Sequence, residues 1–213
     1  MWFCLSLMGP LLAEPVLAAA PVVAASPAPL PAEAVSVWSE LDRVQRLRAR
    51  FEQVQHRSIL AAPLVSTGTL EFARPARVRW EVDAPVRSVF VLDGTTIGTA
   101  LPDLGHRESI DLGSNPDAAR LIQGLMVWLG GDLEAVRRDY TVVWRSGPPR
   151  VVTLTPIDPT LTKLLASIEL TIDGAPAEIR RVVLTEPSGD RVEIALSAIE
   201  RDPVLPAGAF ALP

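Results

Sequence analysis

The chain has 213 residues, of which 48% are hydrophobic and 21% are charged, so it has enough apolar material to bury a sizeable core. Its formal net charge is −5 and its isoelectric point is about 5.1. This balance excludes nucleic acid or an anionic membrane surface as the expected main partner, because both reward clustered cations.

The first residues have the composition of a secretory signal peptide. The segment 5–12 is apolar, but it is shorter than the roughly 20 residues that a membrane span needs. Small residues favour cleavage near position 20 or 25, so we expect a signal peptide over 1–25 and a Pro/Ala linker over 26–33. The remainder, 34–213, is expected to form a single domain of an exported protein.

The single cysteine, Cys4, falls inside the predicted signal peptide. The mature protein is therefore expected to have no thiol, which excludes disulfides, cysteine metal sites and cysteine nucleophiles.

An apolar stripe at spacings of three and four predicts an amphipathic helix over 38–54. Charged residues fill the other faces of this segment, so the predicted helix has one side to bury. The residues of the stripe are Trp38, Leu41, Val44, Leu47, Phe51 and Val54.

Apolar and polar residues then alternate, which predicts antiparallel strands with one buried and one wet face. In the first half, Leu70 and Phe72 share a face, and Val78, Trp80 and Val82 share the next after a break at Arg74-Pro75. We expect Arg77 and Arg79 to lie on the wet face.

Further strands follow in both halves of the chain, separated by tight turns. They are predicted at 89–92, 141–144, 151–154, 168–172, 182–184 and 192–196. Such a meander tends to curl and hide its edges, so the fold class is mainly β with α.

An apolar helix is predicted over 118–129, between the two sets of strands, and a short helix capped by Asp132 follows it to Arg138. The apolar helix is open to two interpretations. It either fills the concave side of the sheet as core or forms a movable lid over a cavity.

No convincing catalytic or metal site is predicted, so we expect no enzyme and no cofactor. His56 and His106 lack a partner at metal-ligand spacing and are expected at the surface. The segment Thr160–Lys163 has the spacing of a serine–lysine motif but begins with threonine, and it follows Pro159 in a loop.

Three carboxylates have two interpretations: they form a carboxylate site, or they lie in solvent on the rim of a β-hairpin. The solvated rim is the preferred interpretation. They are Asp103, Glu108 and Asp111.

The order of these features resembles the LolA-type lipoprotein carrier proteins of the Gram-negative periplasm over roughly residues 35–212. The likeness rests on short segments in a fixed order and spacing. They are Phe51-Glu52-Gln53 at the predicted helix end; Ser66–Phe72; Arg74-Pro75 with Arg79-Trp80-Glu81; Pro85 with Phe90–Gly94; Gly131-Asp132-Leu133 and Tyr140; Leu154-Thr155-Pro156; Glu186 with Gly189-Asp190-Arg191; and Leu205-Pro206 before Phe210.

The resemblance implies an incomplete, unclosed antiparallel β-barrel whose concave side is covered by helices. The hollow would take acyl chains, and Arg74 would hold the lid helices shut by hydrogen bonds that ligand entry breaks. The candidate residues of the lipid cavity are Leu70, Phe72, Val78, Trp80, Phe90, Leu121, Leu125, Met126 and Trp128.

The function implied is sequestration of lipoprotein or other lipid acyl chains and their transfer to an outer-membrane acceptor. The expected partners are the acyl chains, an inner-membrane donor complex and that acceptor, and the protein is expected to be a monomer. Two alternatives of the same shape stay open: a lipid sensor that regulates a partner, and a structural assembly factor with a filled barrel.

Overall fold

The computed structural model describes residues 29–114, 119, 122, 127–129 and 131–213. Within these residues the protein has two α-helices and eleven strands. The helices are α1 (Ala32–Asp42) and α2 (Leu133–Asp139), and the strands are β1 (Arg46–His56), β2 (Leu64–Ala73), β3 (Arg77–Ala84), β4 (Ser88–Asp93), β5 (Thr96–Leu101), β6 (His106–Asp111), β7 (Tyr140–Arg145), β8 (Arg150–Pro156), β9 (Ser167–Asp173), β10 (Glu178–Thr185) and β11 (Arg191–Arg201).

The eleven strands form one antiparallel sheet in the order β6-β5-β4-β3-β2-β1-β11-β10-β9-β8-β7. Strands β1–β6 make an N-terminal wing of consecutive hairpins, and β7–β11 make a C-terminal wing of the same kind. The wings are joined by the pairing of β1 with β11, from Leu47 opposite Arg201 to His56 opposite Arg191. Strands β6 and β7 are the two edges, so the sheet forms the expected unclosed barrel.

One face of the sheet carries the core. Along β1 and β9 every second side chain is buried, the pattern expected of a strand with one buried face. These side chains join a single apolar cluster with α1, with Val136 of α2 and with Trp128. The opposite, outer face is rich in ion pairs such as Arg48–Glu71 and Arg50–Asp83.

The predicted helix over 38–54 is wrong in its second half. The helix ends at Asp42, and residues 46–56 form strand β1. Leu47 and Phe51 fit both a helical and an alternating spacing, while Gln53 and Gln55 occupy buried strand positions with polar side chains and conceal the alternation. The Phe51-Glu52-Gln53 motif therefore lies in a strand.

The other predicted strands are confirmed, and the structure has two that the sequence analysis did not predict, β5 and β6. They pair as a hairpin at one edge of the sheet, in which β5 is half-buried and β6 is exposed. The short capped helix is confirmed too: α2 starts at Leu133, and the Asp132 carboxylate accepts a hydrogen bond from the Ala135 N–H at 3.0 Å. The predicted signal peptide and most of the predicted helix over 118–129 lie outside the described residues.

The C-terminal segment, residues 202–213, folds back onto the outer face of the N-terminal wing. Phe210 and Leu212 pack against Val89, Val91 and Ala100 and form a second, small apolar cluster. The sheet is therefore covered on both faces in this wing: by core on the inside and by the chain end on the outside.

Candidate functional site

The predicted cavity residues that the structure describes share one surface. Leu70, Phe72, Val78 and Phe90 are buried in the main apolar cluster on the inner face, and Trp80 packs against it. Trp128 is buried in the same cluster. The other three candidates, Leu121, Leu125 and Met126, lie outside the described residues.

An aromatic pair that the sequence analysis missed forms the middle of this surface. The ring of Phe51 stacks on Trp80 with centroids 4.1 Å apart and an interplanar angle of 26°. The ring has room because position 68, opposite Phe51 on β2, is glycine. A Cβ at Gly68 would lie 1.9 Å from the Glu81 carbonyl oxygen and 2.7 Å from Phe51 Cζ.

Helix α1 covers one end of the inner face. Its buried side chains Ala34, Val37 and Trp38 lie along the helix at the spacing of one face. The polar rim of the helix is tied to the C-terminal wing. Glu40 Oε2 accepts a hydrogen bond from the Ala177 N–H at 2.9 Å, and Arg201 Nη2 donates to the Glu40 carbonyl at 2.9 Å.

Arg74 lies at the C-terminal end of α1 and binds it directly. Its Nη2 donates to the carbonyl oxygen of Asp42 at 2.7 Å and to the Asp42 carboxylate at 2.8 Å. Its Nε donates to the carbonyl oxygen of Val44 at 3.0 Å. A cation at this position satisfies carbonyls that the helix end leaves without intrahelical partners.

Gly131 contacts the same helix end near Arg74. Its φ is +66°, in the left-handed region, and a Cβ there would lie 2.8 Å from the Asp42 backbone nitrogen. The last turn of α1 is thus held between the Arg74 side chain and the Gly131 backbone.

A small cavity lies beneath α1, with a volume of about 50 Å³. Its walls come from the helix end, from β1 and β2, and from the C-terminal wing. Ligand pockets generally measure about 300–1,000 Å³. This cavity is therefore too small for an acyl chain, and the described inner face is in a closed, packed state. The lining includes Leu41, Val44, Leu47, Phe72, Leu196 and Ile199.

Several buried polar atoms on the inner side have no hydrogen-bond partner among the described residues. Two belong to the indole nitrogens of Trp38 and Trp128. The other three cluster on neighbouring positions of β1 and β2: Gln53 Oε1, Gln55 Oε1 and Ser66 Oγ. The sequence analysis predicts a helix for the segment that holds Gln53 and Gln55, so it does not place these two residues beside Ser66.

The outer face has a different character. Arg77 is exposed, with its guanidinium 5.0 Å from the ring centroid of Phe210, as the wet-face prediction requires. Arg79 is on the same face but only 16% exposed, because the C-terminal segment covers it. Its Nη1 donates to the Ala211 carbonyl at 2.8 Å, and its Nη2 pairs with Glu81 at 2.7 Å. The guanidinium lowers the pKa of the Glu81 carboxyl, although burial acts in the opposite direction.

The residues considered for catalysis or metal binding are dispersed. His56 lies 3.4 Å from Glu193, and His106 lies 3.2 Å from Glu108 on edge strand β6. Asp103 lies in the exposed turn before that strand and Asp111 is its last residue, which agrees with the hairpin-rim interpretation. In residues 29–114, 131–213 and the few described between them, no group of three His, Cys, Asp or Glu side chains could hold a metal ion.

The segment Thr160–Lys163 forms a turn stabilised by Asp158. The Asp158 carboxylate accepts a hydrogen bond from the Thr160 N–H at 2.7 Å, and a short 3₁₀ helix follows. Its Leu161 is buried in the main cluster, so this segment contributes to the core.

Neither described helix is long and apolar enough to cross a bilayer.

Comparison with known proteins identifies the family. A family model for the outer membrane lipoprotein carrier protein LolA matches residues 42–213. The outer-membrane lipoprotein carrier protein of Chromohalobacter salexigens is 31% identical over 144 residues, which are 67% of this chain and 64% of that protein. The carrier protein of Dechloromonas aromatica is 27% identical over 183 residues, or 80% and 78% of the two chains.

A solved structure shares the fold. The uncharacterized conserved protein from Thermus thermophilus superposes with a TM-score of 0.51 at 11% identity, over 85% of this chain and 94% of that one. Together with the unclosed barrel and its helix-covered apolar face, the family match over most of the chain shows that this protein belongs to the LolA family of outer-membrane lipoprotein carrier proteins.

Proposed function

We propose that this protein is a periplasmic carrier that takes up the acyl chains of a lipoprotein, or of another lipid, and transfers them to an outer-membrane acceptor. The observation that carries the proposal is the continuous apolar inner face, which spans both wings and is covered by a helix held through polar contacts at its rim. The membership of the chain in a carrier family supports the same role.

The energetics of carrying a lipid through water favour a covered hollow. Hiding one CH₂ group from water is worth about 0.8 kcal/mol, so a sixteen-carbon chain gains about 12 kcal/mol on burial. An exposed patch leaves half of each chain in water. A hollow that closes over the chain removes most of this cost and lets a better binding site on an acceptor drive release.

Loading requires the closed state to open, because the cavity beneath α1 is only about 50 Å³. We propose that α1 acts as a lid and that Arg74 is its latch. An acyl chain that enters displaces the apolar face of α1, and the hydrogen bonds from Arg74 to Asp42 and Val44 then break. We further propose a single-chain carrier that receives its load from an inner-membrane donor complex.

The decisive experiment is native mass spectrometry of protein purified from the periplasm of a producing strain, followed by lipid extraction and titration with a fluorescent acyl probe. A stoichiometric acylated ligand, displaced by the probe, is the expected result. A mass without ligand and no uptake of the probe by the wild-type protein would exclude the carrier function.

A matched pair of variants localises the binding. Ala49 is buried on the inner face of β1, and Ala195 is exposed on the outer face of β11. Ala49→Leu is expected to reduce probe uptake because it fills the space that the chain needs, while Ala195→Leu leaves uptake unchanged. Circular dichroism checks that both variants keep the fold.

A further inference from the structure

Gln53, Gln55 and Ser66 form a buried polar cluster on the inner face of the barrel. They are 3%, 3% and 7% exposed, respectively. Gln53 and Ser66 are direct cross-strand partners on β1 and β2, and Gln55 is the next residue of β1 on the same face as Gln53. The three residues therefore occupy neighbouring positions on the inner wall.

The surroundings of this cluster are apolar. The residues of β11 opposite Gln53 and Gln55 are Ile194 and Val192, and the next strand contributes Val182 and Leu184 beside them. All four are buried in the main cluster. Within the described part of the chain, the two glutamine carbonyl oxygens and the serine hydroxyl have no hydrogen-bond partner.

An unpaired buried polar group costs about 1–3 kcal/mol, so three such groups on neighbouring strand positions are unusual for a purely structural wall. Leucine, which has similar bulk, would avoid that cost. The arrangement is explained if a ligand supplies the missing partners in the loaded state.

We propose that Gln53, Gln55 and Ser66 bind the amide linkage that joins an acyl chain to a peptide. This inference rests on the proposed carrier function. The glutamine oxygens are acceptors for the amide N–H, and the serine hydroxyl is a donor for the amide carbonyl. A simple ester lacks the N–H, so it leaves the glutamine acceptors unsatisfied.

The position of the cluster fits a chain laid along β1. From Gln53 the inner face continues through Phe51 and Ala49 to Leu47, which lines the cavity beneath α1. Six strand residues span about 20 Å. One acyl chain occupies about half of the roughly 30 Å hydrocarbon core of a bilayer, or about 15 Å. A chain with its linkage at Gln53 therefore reaches about as far as Ala49, next to the cavity that Leu47 lines.

The test compares two probes that differ in one atom: N-palmitoylglycinamide and the palmitoyl ester of glycolamide. We expect the wild-type protein to bind the amide about tenfold more tightly than the ester, the effect of one buried hydrogen bond. In Gln53→Leu and Gln55→Leu the preference falls towards one, with the ester affinity retained. Gln45→Leu, on the exposed side chain that precedes β1, is the matched control and keeps the preference.

The outcomes separate the two proposals. If the wild-type protein binds both probes equally, water alone fills the subsite and the inference is overturned, while the carrier function stands. If it binds neither probe, the carrier function itself fails. The comparison of probes on the wild-type protein decides the matter even if a glutamine variant does not fold, and an amide preference that survives both folded variants also overturns the inference.

Discussion

A single guanidinium nitrogen of Arg74 joins the end of helix α1 twice, at 2.7 Å to the carbonyl oxygen of Asp42 and at 2.8 Å to its carboxylate. At the helix end, the backbone carbonyl and the side-chain carboxylate of Asp42 therefore both accept hydrogen bonds from the guanidinium of Arg74. The contact lies at the border of water, with the Arg74 side chain 23% exposed and that of Asp42 55% exposed. Solvent screens the ion pair at this position, so the proposed latch is able to open.

Replacement of the latch is expected to favour the open state. Arg74→Met removes the bonds to Asp42 and Val44. Because solvent screens them, we expect closure to weaken by about 1–2 kcal/mol, a factor of about 5–30 in the ratio of open to closed protein. The apparent affinity for a fluorescent acyl probe should rise by that factor, and amide hydrogen exchange at Val44 should accelerate.

Two further variants sharpen this measurement. Arg74→Lys keeps the charge but loses the planar fork, so an intermediate effect is expected. Arg107→Met removes an exposed arginine from edge strand β6 and should change nothing. Equal probe affinity in Arg74→Met and Arg107→Met would argue against a latch.

The close approach of Phe51 to strand β2 predicts a large effect of a very small substitution. Gly68→Ala places a Cβ within 1.9 Å of the Glu81 carbonyl oxygen and against the Phe51 ring, so backbone or ring has to shift. We expect a loss of about 3 kcal/mol in the free energy of unfolding, measured by urea denaturation.

Gly105→Ala is the control for Gly68→Ala. Gly105 has a φ of +62° but nothing within 4 Å of its added Cβ, so this substitution tests backbone conformation without steric conflict. Its expected cost is about 1 kcal/mol. A loss in Gly68→Ala no larger than this would contradict the tight contact between Phe51 and β2.

The C-terminal segment is expected to leave the outer face when a methyl group is added at position 98. A Cβ on Gly98 would lie 2.4 Å from Leu212 Cδ1. Gly98→Ala should therefore displace Leu212 from the outer face. A partly buried leucine contributes less than the roughly 1.5–3 kcal/mol of a full burial, so the barrel should stay folded. The rate at which carboxypeptidase removes C-terminal residues should rise about tenfold.

Gly113→Ala is the matched control for this trimming assay. The nearest atom to its added Cβ is a carboxylate oxygen of Asp111, at 3.2 Å, at the end of an exposed side chain. Trimming at the wild-type rate in both variants would show that Leu212 does not depend on the space at Gly98.

Acid is expected to weaken one contact between loops. The Ser58 N–H donates to Asp190 Oδ1 at 2.8 Å, and this bond, with Arg57 nearby, lowers the pKa of the Asp190 carboxyl. A carboxyl with a lowered pKa stabilises the fold above its unfolded pKa of about 3.9 and loses that contribution as the pH falls through its folded pKa.

The measurement is the free energy of unfolding of wild type and Asp190→Asn between pH 7 and pH 2. The wild type should be the more stable at neutral pH, and the difference should shrink below about pH 4 as Asp190 is protonated. Asp103→Asn, in the exposed turn between β5 and β6, is expected to follow the wild type throughout. A difference for Asp190→Asn that stays constant with pH would refute the role of the ionised carboxylate.

Alternation made most of the sheet predictable. The apolar face of β2 is formed by Leu70 and Phe72, and that of β3 by Val78 and Val82. Turn residues separate these strands from their neighbours. Strand β6 escaped prediction because all its residues are exposed, which leaves no apolar alternation to detect. The sequence of β1 predicts a helix because glutamine at two of its inner positions interrupts the apolar alternation.

The candidate site was predictable in part. Period-two spacing placed Phe72 and Trp80 on the inner side, but their partners depend on which strands become neighbours. Phe51 is 29 residues from Trp80 and Asp42 is 32 residues from Arg74, so neither contact leaves a local pattern. The role of Arg74 came only from the family resemblance, and it stays a prediction.

The joining of the wings has a consequence for how the chain folds. Each wing consists of consecutive hairpins, so its pairings close short loops and form quickly, whereas Gln53 and Ile194 of the β1–β11 pair are 141 residues apart. During synthesis one hydrogen-bonding edge of β1 pairs with β2, and the other stays unpaired until β11 has been made. In that interval the N-terminal wing presents an open strand to any neighbouring chain, so productive folding depends on how soon β11 is available.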